Sequence, residues 1–226
     1  MRIASPQPTV KKYFRMVFSH YSLCRHLMYE QLPHIHLKGE TLDVGGTRDS
    51  DYHTLFGSIG DITNLNASTE HGGGGDIIAD CNEPLPLKDS SYDNVISLST
   101  FEHIKNDRLL LQECLRVLRP GGSFHFFTPF LYREHGCPFD YHRHTSQWWE
   151  EELQTESVNA ETVAVMPLVW DQYATGFSSF EPRNKQLRIL LRSLFCLPGL
   201  LRGLCGKNNA FQETMALAHY VSGKKG

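Results

Sequence analysis

Glu40-Thr41-Leu42-Asp43-Val44-Gly45-Gly46 reads as a short strand that runs straight into two glycines. Glycines there let the backbone turn sharply and come close to a ligand, and a helix starting next would offer free N–H groups. Twenty residues beyond Gly46 lies Asn66, at the tip of the following strand. Mononucleotide-binding folds place an acid at that point to hold a ribose hydroxyl pair. A Gly-Gly pair after a strand is by itself more often a plain turn, so the flanking sequence has to decide.

The flanking sequence alternates strands with helical stretches. Short strands are expected over 59–65, 77–79 and 94–98, the last entered from the turn-prone Asp89-Ser90-Ser91. Residues 106–118 carry Leu109, Leu110, Cys114, Val117 and Leu118 on one helical face, and Pro120-Gly121-Gly122 then turns the chain into a fifth strand over 123–128. Later strands are expected over 162–169 and 215–221. Upstream, residues 9–32 read as an amphipathic helix through Tyr13, Phe14, Val17, Phe18 and Tyr21, ended by Pro33. Strands alternating with helices predict an α/β domain with a mostly parallel sheet covered on both faces.

Four further blocks sharpen this: Asp80 with Leu85-Pro86-Leu87-Lys88-Asp89-Ser90-Ser91-Tyr92-Asp93-Asn94-Val95-Ile96, then Phe101-Glu102-His103-Ile104, then Glu113-Cys114-Leu115-Arg116-Val117-Leu118 and Arg119-Pro120-Gly121-Gly122. Together with the first strand, over about residues 41–129, they resemble the class I S-adenosylmethionine-dependent methyltransferases, particularly the small-molecule branch called methyltransferase type 11. The resemblance implies a Rossmann-like fold: a seven-stranded, mostly parallel sheet with the last strand antiparallel and helices on both faces. It implies S-adenosylmethionine as cofactor and a small-molecule acceptor, an oxygen of a sugar, glycan or secondary metabolite. By the same resemblance Asp43, Gly45 and Gly46 would border the methionine end and Asn66 the ribose. Asp80 and Cys81 would lie beside the adenine, while Ser97, Ser99 and Thr100 would line the floor beneath the sulfonium. Two positions depart from the family pattern. Thr47-Arg48-Asp49 stands where a third glycine is usual, and Asn66 brings no charge to the ribose. Two readings follow: a variant loop that keeps the cofactor, or a methyltransferase-like binding or regulatory module without catalysis.

A second cluster follows the fifth strand: His135-Gly136-Cys137-Pro138-Phe139-Asp140-Tyr141-His142-Arg143-His144-Thr145. It resembles a segment of a methyltransferase subgroup with many bacterial glycan and secondary-metabolite enzymes, and it lies at the strand ends where open α/β sheets place ligands. A hydroxyl acceptor benefits from a base with a pKa near neutrality, which favours histidine. His135 is the first candidate, then His103, then His142, with Asp140 to orient a base. Arg143 would tie the loop down or hold an anionic acceptor. Asp140 as a helix cap and Arg143 as an ordinary ion-pair partner are the plainer readings. Glu102 with His103 reads either as site lining or as a helix start, and scattered histidines such as His20 and His53 read as structural. His135, Cys137, His142 and His144 also invite a zinc reading, but their spacing matches no familiar zinc module. The family resemblance explains them better, and no metal is expected.

Composition bounds the remaining possibilities. A chain of 226 residues with 40% hydrophobic and 21% charged residues suits one globular domain with a modest appendage. Residues 1–38 form a helical extension, 39–226 the main domain, and 176–208 a helical lid or insertion before the last strand. Charge is segregated: residues 1–38 hold six Lys and Arg against one Glu, residues 39–182 hold 23 acidic against eight basic residues, and residues 183–226 hold eight basic residues against one Glu. An acidic middle argues against a nucleic-acid channel. The basic flanks are either solvated helix faces or a peripheral contact with an anionic membrane surface. Six cysteines without a tight framework, and no secretory leader pattern, point to free thiols in the cytoplasm. Residues 185–197 set Leu187, Leu190, Leu191, Leu194 and Leu197 on one face, away from Lys185, Arg188 and Arg192. That face would pack on the sheet, close over the acceptor, or lie on a membrane. The oligomeric state is not encoded in any pattern we recognise.

Overall fold

The computed structural model describes residues 8–67, 74–136, 138–155, 158–205 and 215–226. Seven strands form one sheet: β1 (Glu40–Val44), β2 (Asp61–Asn66), β3 (Ile77–Ile78), β4 (Tyr92–Leu98), β5 (Leu118–Pro129), β6 (Ala164–Leu168) and β7 (Ala218–Lys224). Their order is β3-β2-β1-β4-β5-β7-β6, with β7 antiparallel to both neighbours and the other pairs parallel. The expected mostly parallel sheet with an antiparallel last strand is present.

Alternation along the strands sends side chains to two cores. Val95, Phe124, Phe126, Val165 and Val221 face one layer, where α3 (Asp107–Val117) contributes Leu110, Leu111 and Cys114 and α4 (Ser146–Glu152) contributes Trp149. Ile96, Phe127, Leu168 and Ala218 face the other. That layer is built by α1 (Val10–Phe18), α2 (Leu23–Tyr29), α5 (Gln172–Ser178) and α6 (Lys185–Leu204). Thr9 and Ser22 cap α1 and α2 by accepting from Lys12 N and Arg25 N, so the single helix expected over 9–32 is two.

Several boundaries shift for local reasons. β5 begins at Leu118, directly after α3, because Pro120-Gly121-Gly122 forms a bulge inside the strand rather than a stop before it. Tyr92 pairs with Leu118 and Asn94 with Ser123, while Gly121 turns with a φ of 78°. β7 lies three residues later than expected, since its ladder with β5 runs from Ala218 opposite Pro129 to Lys224 opposite Ser123. No α-helix links β1 to β2 among the described residues; a short 3-10 turn, Asp51–Leu55, stands where a crossover helix was anticipated. Its Tyr52 and Leu55 pack on the α1–α2 layer, which covers that face in place of a crossover helix.

The largest reversal is in α6. Arg192, expected on the solvent face, is fully buried, and Leu187, Leu190, Leu194 and Leu197 are exposed. The Arg192 guanidinium donates to Glu181 Oε1 and to the carbonyls of Met16, Ser19 and Tyr21. Those partners turn the helix over. No helix among the described residues is long and apolar enough to cross a membrane. The five described cysteines are free thiols.

Candidate active site

The ends of β1 and β4 are tied together at one carbonyl. Ser97 Oγ and Thr100 Oγ1 both donate to Val44 O, at 3.1 and 3.0 Å. Gly45 turns there with a φ of 85°, and a Cβ on it would run into the Thr100 side chain. A Cβ on Gly46 would strike the Asp43 carboxylate. Both positions therefore require glycine. Asp43 is fully buried. Its Oδ2 accepts from Tyr52 Oη at 2.6 Å and lies 2.6 Å from His53 Nε2, whereas its Oδ1 is buried without a hydrogen-bond partner. Burial and the neighbouring Asp43 charge push the Tyr52 phenol well above its ordinary range. Asn66 Nδ2 donates to the carbonyls of Gly45 and Gly46, each at 3.3 Å. The residue read as a ribose ligand thus also braces the glycine turn.

The remaining expected contacts are more dispersed. Ser99 adopts a left-handed φ of 56° and its Oγ lies 4.0 Å from Met28 Sδ, facing α2 rather than the turn. Asp80 is exposed at the end of β3, its Oδ1 accepting from the backbone and side-chain amides of Asn82. Cys81 is buried, and desolvation pushes its thiol up to about 12, so it is inert.

Beyond Thr100 a 3-10 turn, Phe101–His103, leads into the second half of the site. His135 Nδ1 lies 3.1 Å from Asp140 Oδ2, which also accepts from the His135 backbone N–H at 2.9 Å. Arg143 grips Asp140 through both terminal nitrogens, at 2.5 and 2.6 Å, and reaches the carbonyls of Tyr132, Arg133 and His142. Its guanidinium holds the Asp140 carboxyl far below the usual carboxylate range. Arg143 ties the loop down and is fully engaged in doing so. The His135 ring meets those of His103 and Tyr132 edge to face, at 5.1 and 5.2 Å between centroids. Burial lowers the His135 pKa, partly offset by Asp140. His103 Nδ1 lies 2.5 Å from Phe139 O.

Glu102 sits beneath this cluster with both carboxylate oxygens buried and without a hydrogen bond, Oε1 lying 3.7 Å from His103 Nε2. Desolvation pushes its carboxyl up to about 8. Its own carbonyl accepts from Tyr141 N and His142 N, which fastens the loop across the sheet edge.

The residues of the zinc reading do not converge. His142 and His144 gather on Asp107, with His144 Nε2 at 2.5 Å and His142 Nε2 at 3.9 Å from Asp107 Oδ2. His135 joins Glu102 and His103 instead. Each trio offers ligand atoms within 4.8 Å of one another, and Cys137 lies outside the described residues. His142, third among the candidate bases, therefore belongs to a separate cluster from His135. Tyr52 was not singled out by the sequence and His53 was read as structural, whereas Glu102 was read as either site lining or a helix start. His53 looked scattered because nothing local announces its contact with a buried aspartate.

Residues 61–126 match a family model described as a methyltransferase domain. A Mycolicibacterium smegmatis protein named "Probable S-adenosylmethionine-dependent methyltransferase" is 47% identical over 45 residues, 20% of this chain and 18% of that protein. Solved structures share the fold over nearly the whole chain. A Haloferax volcanii protein described as "the putative methyltransferase", solved with the Trm112 methyltransferase activator, superposes with a TM-score of 0.52 at 18% identity, covering 95% of this chain and 92% of that one. A Haemonchus contortus phosphoethanolamine N-methyltransferase, bound to S-adenosylhomocysteine, gives 0.54 at 14% identity, covering 94% of this chain and 56% of that one. Over residues 61–126 the chain is thus similar to methyltransferase domains, and nearly the whole chain has the fold of those solved structures.

The turn after β1 fits S-adenosylmethionine on its own geometry. Asp43 Oδ1 is a buried acceptor without a donor, and the two glycines leave a cradle that any Cβ would fill. A buried acceptor of this kind costs about 1–3 kcal/mol until a donor reaches it. Asp43, Gly45, Gly46 and Asn66 would hold the group, Asn66 through the oxygen not used on the loop.

Proposed function

We propose that this domain moves a methyl group from S-adenosylmethionine to a hydroxyl oxygen of a small acceptor, a sugar, glycan or secondary metabolite, with His135 as general base. The single observation carrying the reading is the His135–Asp140 pair at the open edge beyond β5. Asp140 fixes a proton on Nδ1 and leaves Nε2 to take one from the acceptor. Because burial lowers the His135 pKa, the ring is neutral and basic at neutral pH. When bound, the cofactor supplies an electrophilic methyl on a sulfonium. The chain positions the partners: Thr100 and Ser97 hold the glycine turn, and Glu102 fastens the His135 loop to the adjoining strand end. Holding the reactants in line supplies much of the rate in such a displacement.

A cavity of about 280 Å³ lined by Tyr132, Glu134, Asp140, Tyr141, His142 and Arg143 adjoins this pair. Its polar wall suits an acceptor rich in hydroxyls. Calorimetry with S-adenosylhomocysteine tests the binding half, and absence of heat at millimolar ligand overturns the reading. A survey of hydroxylated acceptors with methyl-labelled cofactor tests the transfer half. His135→Ala is expected to cost about 10²–10⁴-fold in rate while leaving S-adenosylhomocysteine affinity unchanged.

A further inference from the structure

We propose that α1 and α6 together form a face that seats the protein on an anionic lipid bilayer. Val10, Phe14 and Phe18 repeat at four-residue spacing on α1, and Leu187, Leu190, Leu194, Leu197, Leu201 and Leu204 form a stripe along α6. These nine side chains are between 39% and 65% exposed. They are nine of the fourteen large apolar side chains exposed among the described residues. The two helices lie side by side and antiparallel. Tyr13 Oη donates to Ser193 O at 2.8 Å, Arg192 reaches Met16 O at 3.0 Å, and Gly203 abuts Pro8. The stripes therefore merge into one platform two helices wide. A monomer in water rarely leaves a contiguous apolar patch of this size uncovered.

Charge identifies the occupant. Lys11 and Arg15 stand exposed between the α1 aromatics, and Arg183 and Lys185 stand exposed at the start of α6. The flanking segments that supply these helices hold fourteen Lys and Arg against two Glu, while the sheet between them is strongly acidic. Apolar side chains rimmed by cations are the composition of a helix lying in a headgroup layer. A second copy of the chain would bring the same cations rim to rim, which repels. Beside the start of α6 lies a cavity of about 160 Å³ lined by Arg133, Arg183, Arg188 and Arg192, with Tyr132 and Glu181 among them. Arg188 Nε is buried there without a hydrogen-bond partner. Tyr132, in the wall of that cavity, touches His135.

Co-sedimentation of the full chain with vesicles tests this, using phosphatidylcholine alone and phosphatidylcholine mixed with phosphatidylglycerol. Binding is expected only to the anionic vesicles, and it should weaken as salt is raised. Lys11→Gln and Arg15→Gln should each weaken it about fivefold, the worth of one cation at such a surface. Leu190→Glu with Leu194→Glu should abolish it. All four residues are exposed and outside the methyl-transfer site, so circular dichroism and S-adenosylhomocysteine binding should not change. Those controls separate failure of docking from failure of the methyltransferase reading. Equal binding to both vesicle types, no binding at low salt, or leucine variants that bind normally would each overturn the proposal. So would light scattering that shows a dimer lost in the leucine variants, because the face would then belong to a second copy.

Discussion

At the scale of single residues, His135 is held between opposing influences. Burial removes water from its ring and lowers its pKa, while the Asp140 charge raises it. A base acts in its neutral form, so the acid limb of the rate profile is expected below the ordinary histidine value of about 6.5. Asp140→Asn should move that limb lower still and reduce kcat, which a pH series on both proteins measures. An unmoved limb would show that another group titrates. Glu102 is the opposite case, a carboxyl lifted to about 8 by burial. Between about pH 4.5 and 8 the folded chain keeps a proton there that the unfolded chain has lost. Stability therefore falls as pH rises across that window. Glu102→Gln, which cannot ionise, is expected to raise Tm at pH 8, by about 2–4 °C for each kcal/mol relieved. The gain should vanish below pH 4. The pairing of His135 with Asp140 is local: five residues of loop just past a strand bring the two side chains within 3.1 Å. Glu102 was not legible locally: its sequence neighbours say nothing of the water excluded around it.

At the scale of elements, the turn after β1 follows from its sequence almost completely. A strand ending in Gly45-Gly46 needs positive φ and close approach, and both are present. Gly45→Ala sets a Cβ against Thr100 and should lower S-adenosylhomocysteine affinity at least about tenfold, since a displaced turn typically costs more than 1.4 kcal/mol. Calorimetry reads this directly, and unchanged affinity would place the cofactor elsewhere. Asn66 teaches a second lesson. From sequence alone an aspartate there should bind the ribose as well or better, being a stronger acceptor. In the structure Asn66 donates to two carbonyls of the glycine turn, which a carboxylate cannot do. Asn66→Asp is now expected to loosen the turn and weaken binding, and tighter binding in the same titration would refute the bracing role. The orientation of α6 could not be read at all. Periodicity tells which residues share a face but not which face finds partners, and the carbonyls that bury Arg192 lie on the far end of the chain.

At the scale of the whole molecule, that arginine joins the two ends of the chain. Its fully buried guanidinium satisfies three carbonyls of the α1–α2 region and one carboxylate, Glu181. Arg192→Met fills much of the volume but takes the guanidinium away from four acceptors. The expected cost is about 3–5 kcal/mol in urea unfolding, and a loss under about 1 kcal/mol would show that the helices hold by apolar packing alone. Charge segregation, strands and helices were all legible at this scale, because composition and periodicity sum over many residues. The joining of the termini was not, since it rests on one side chain and its distant partners.

The span of those hydrogen bonds governs how the chain can be made. Arg192 and its carbonyl partners lie 171–176 positions apart. A ribosome adding about 5–20 residues per second delivers Met16 roughly 10–30 seconds before it delivers Arg192. Throughout that interval the carbonyls of Met16, Ser19 and Tyr21 wait for the guanidinium that will reach them, and the Tyr13 hydroxyl waits for the Ser193 carbonyl. Among the described elements α1 is thus the first made and one of the last to find its partners, because the arginine that ties it down is translated more than 170 residues later.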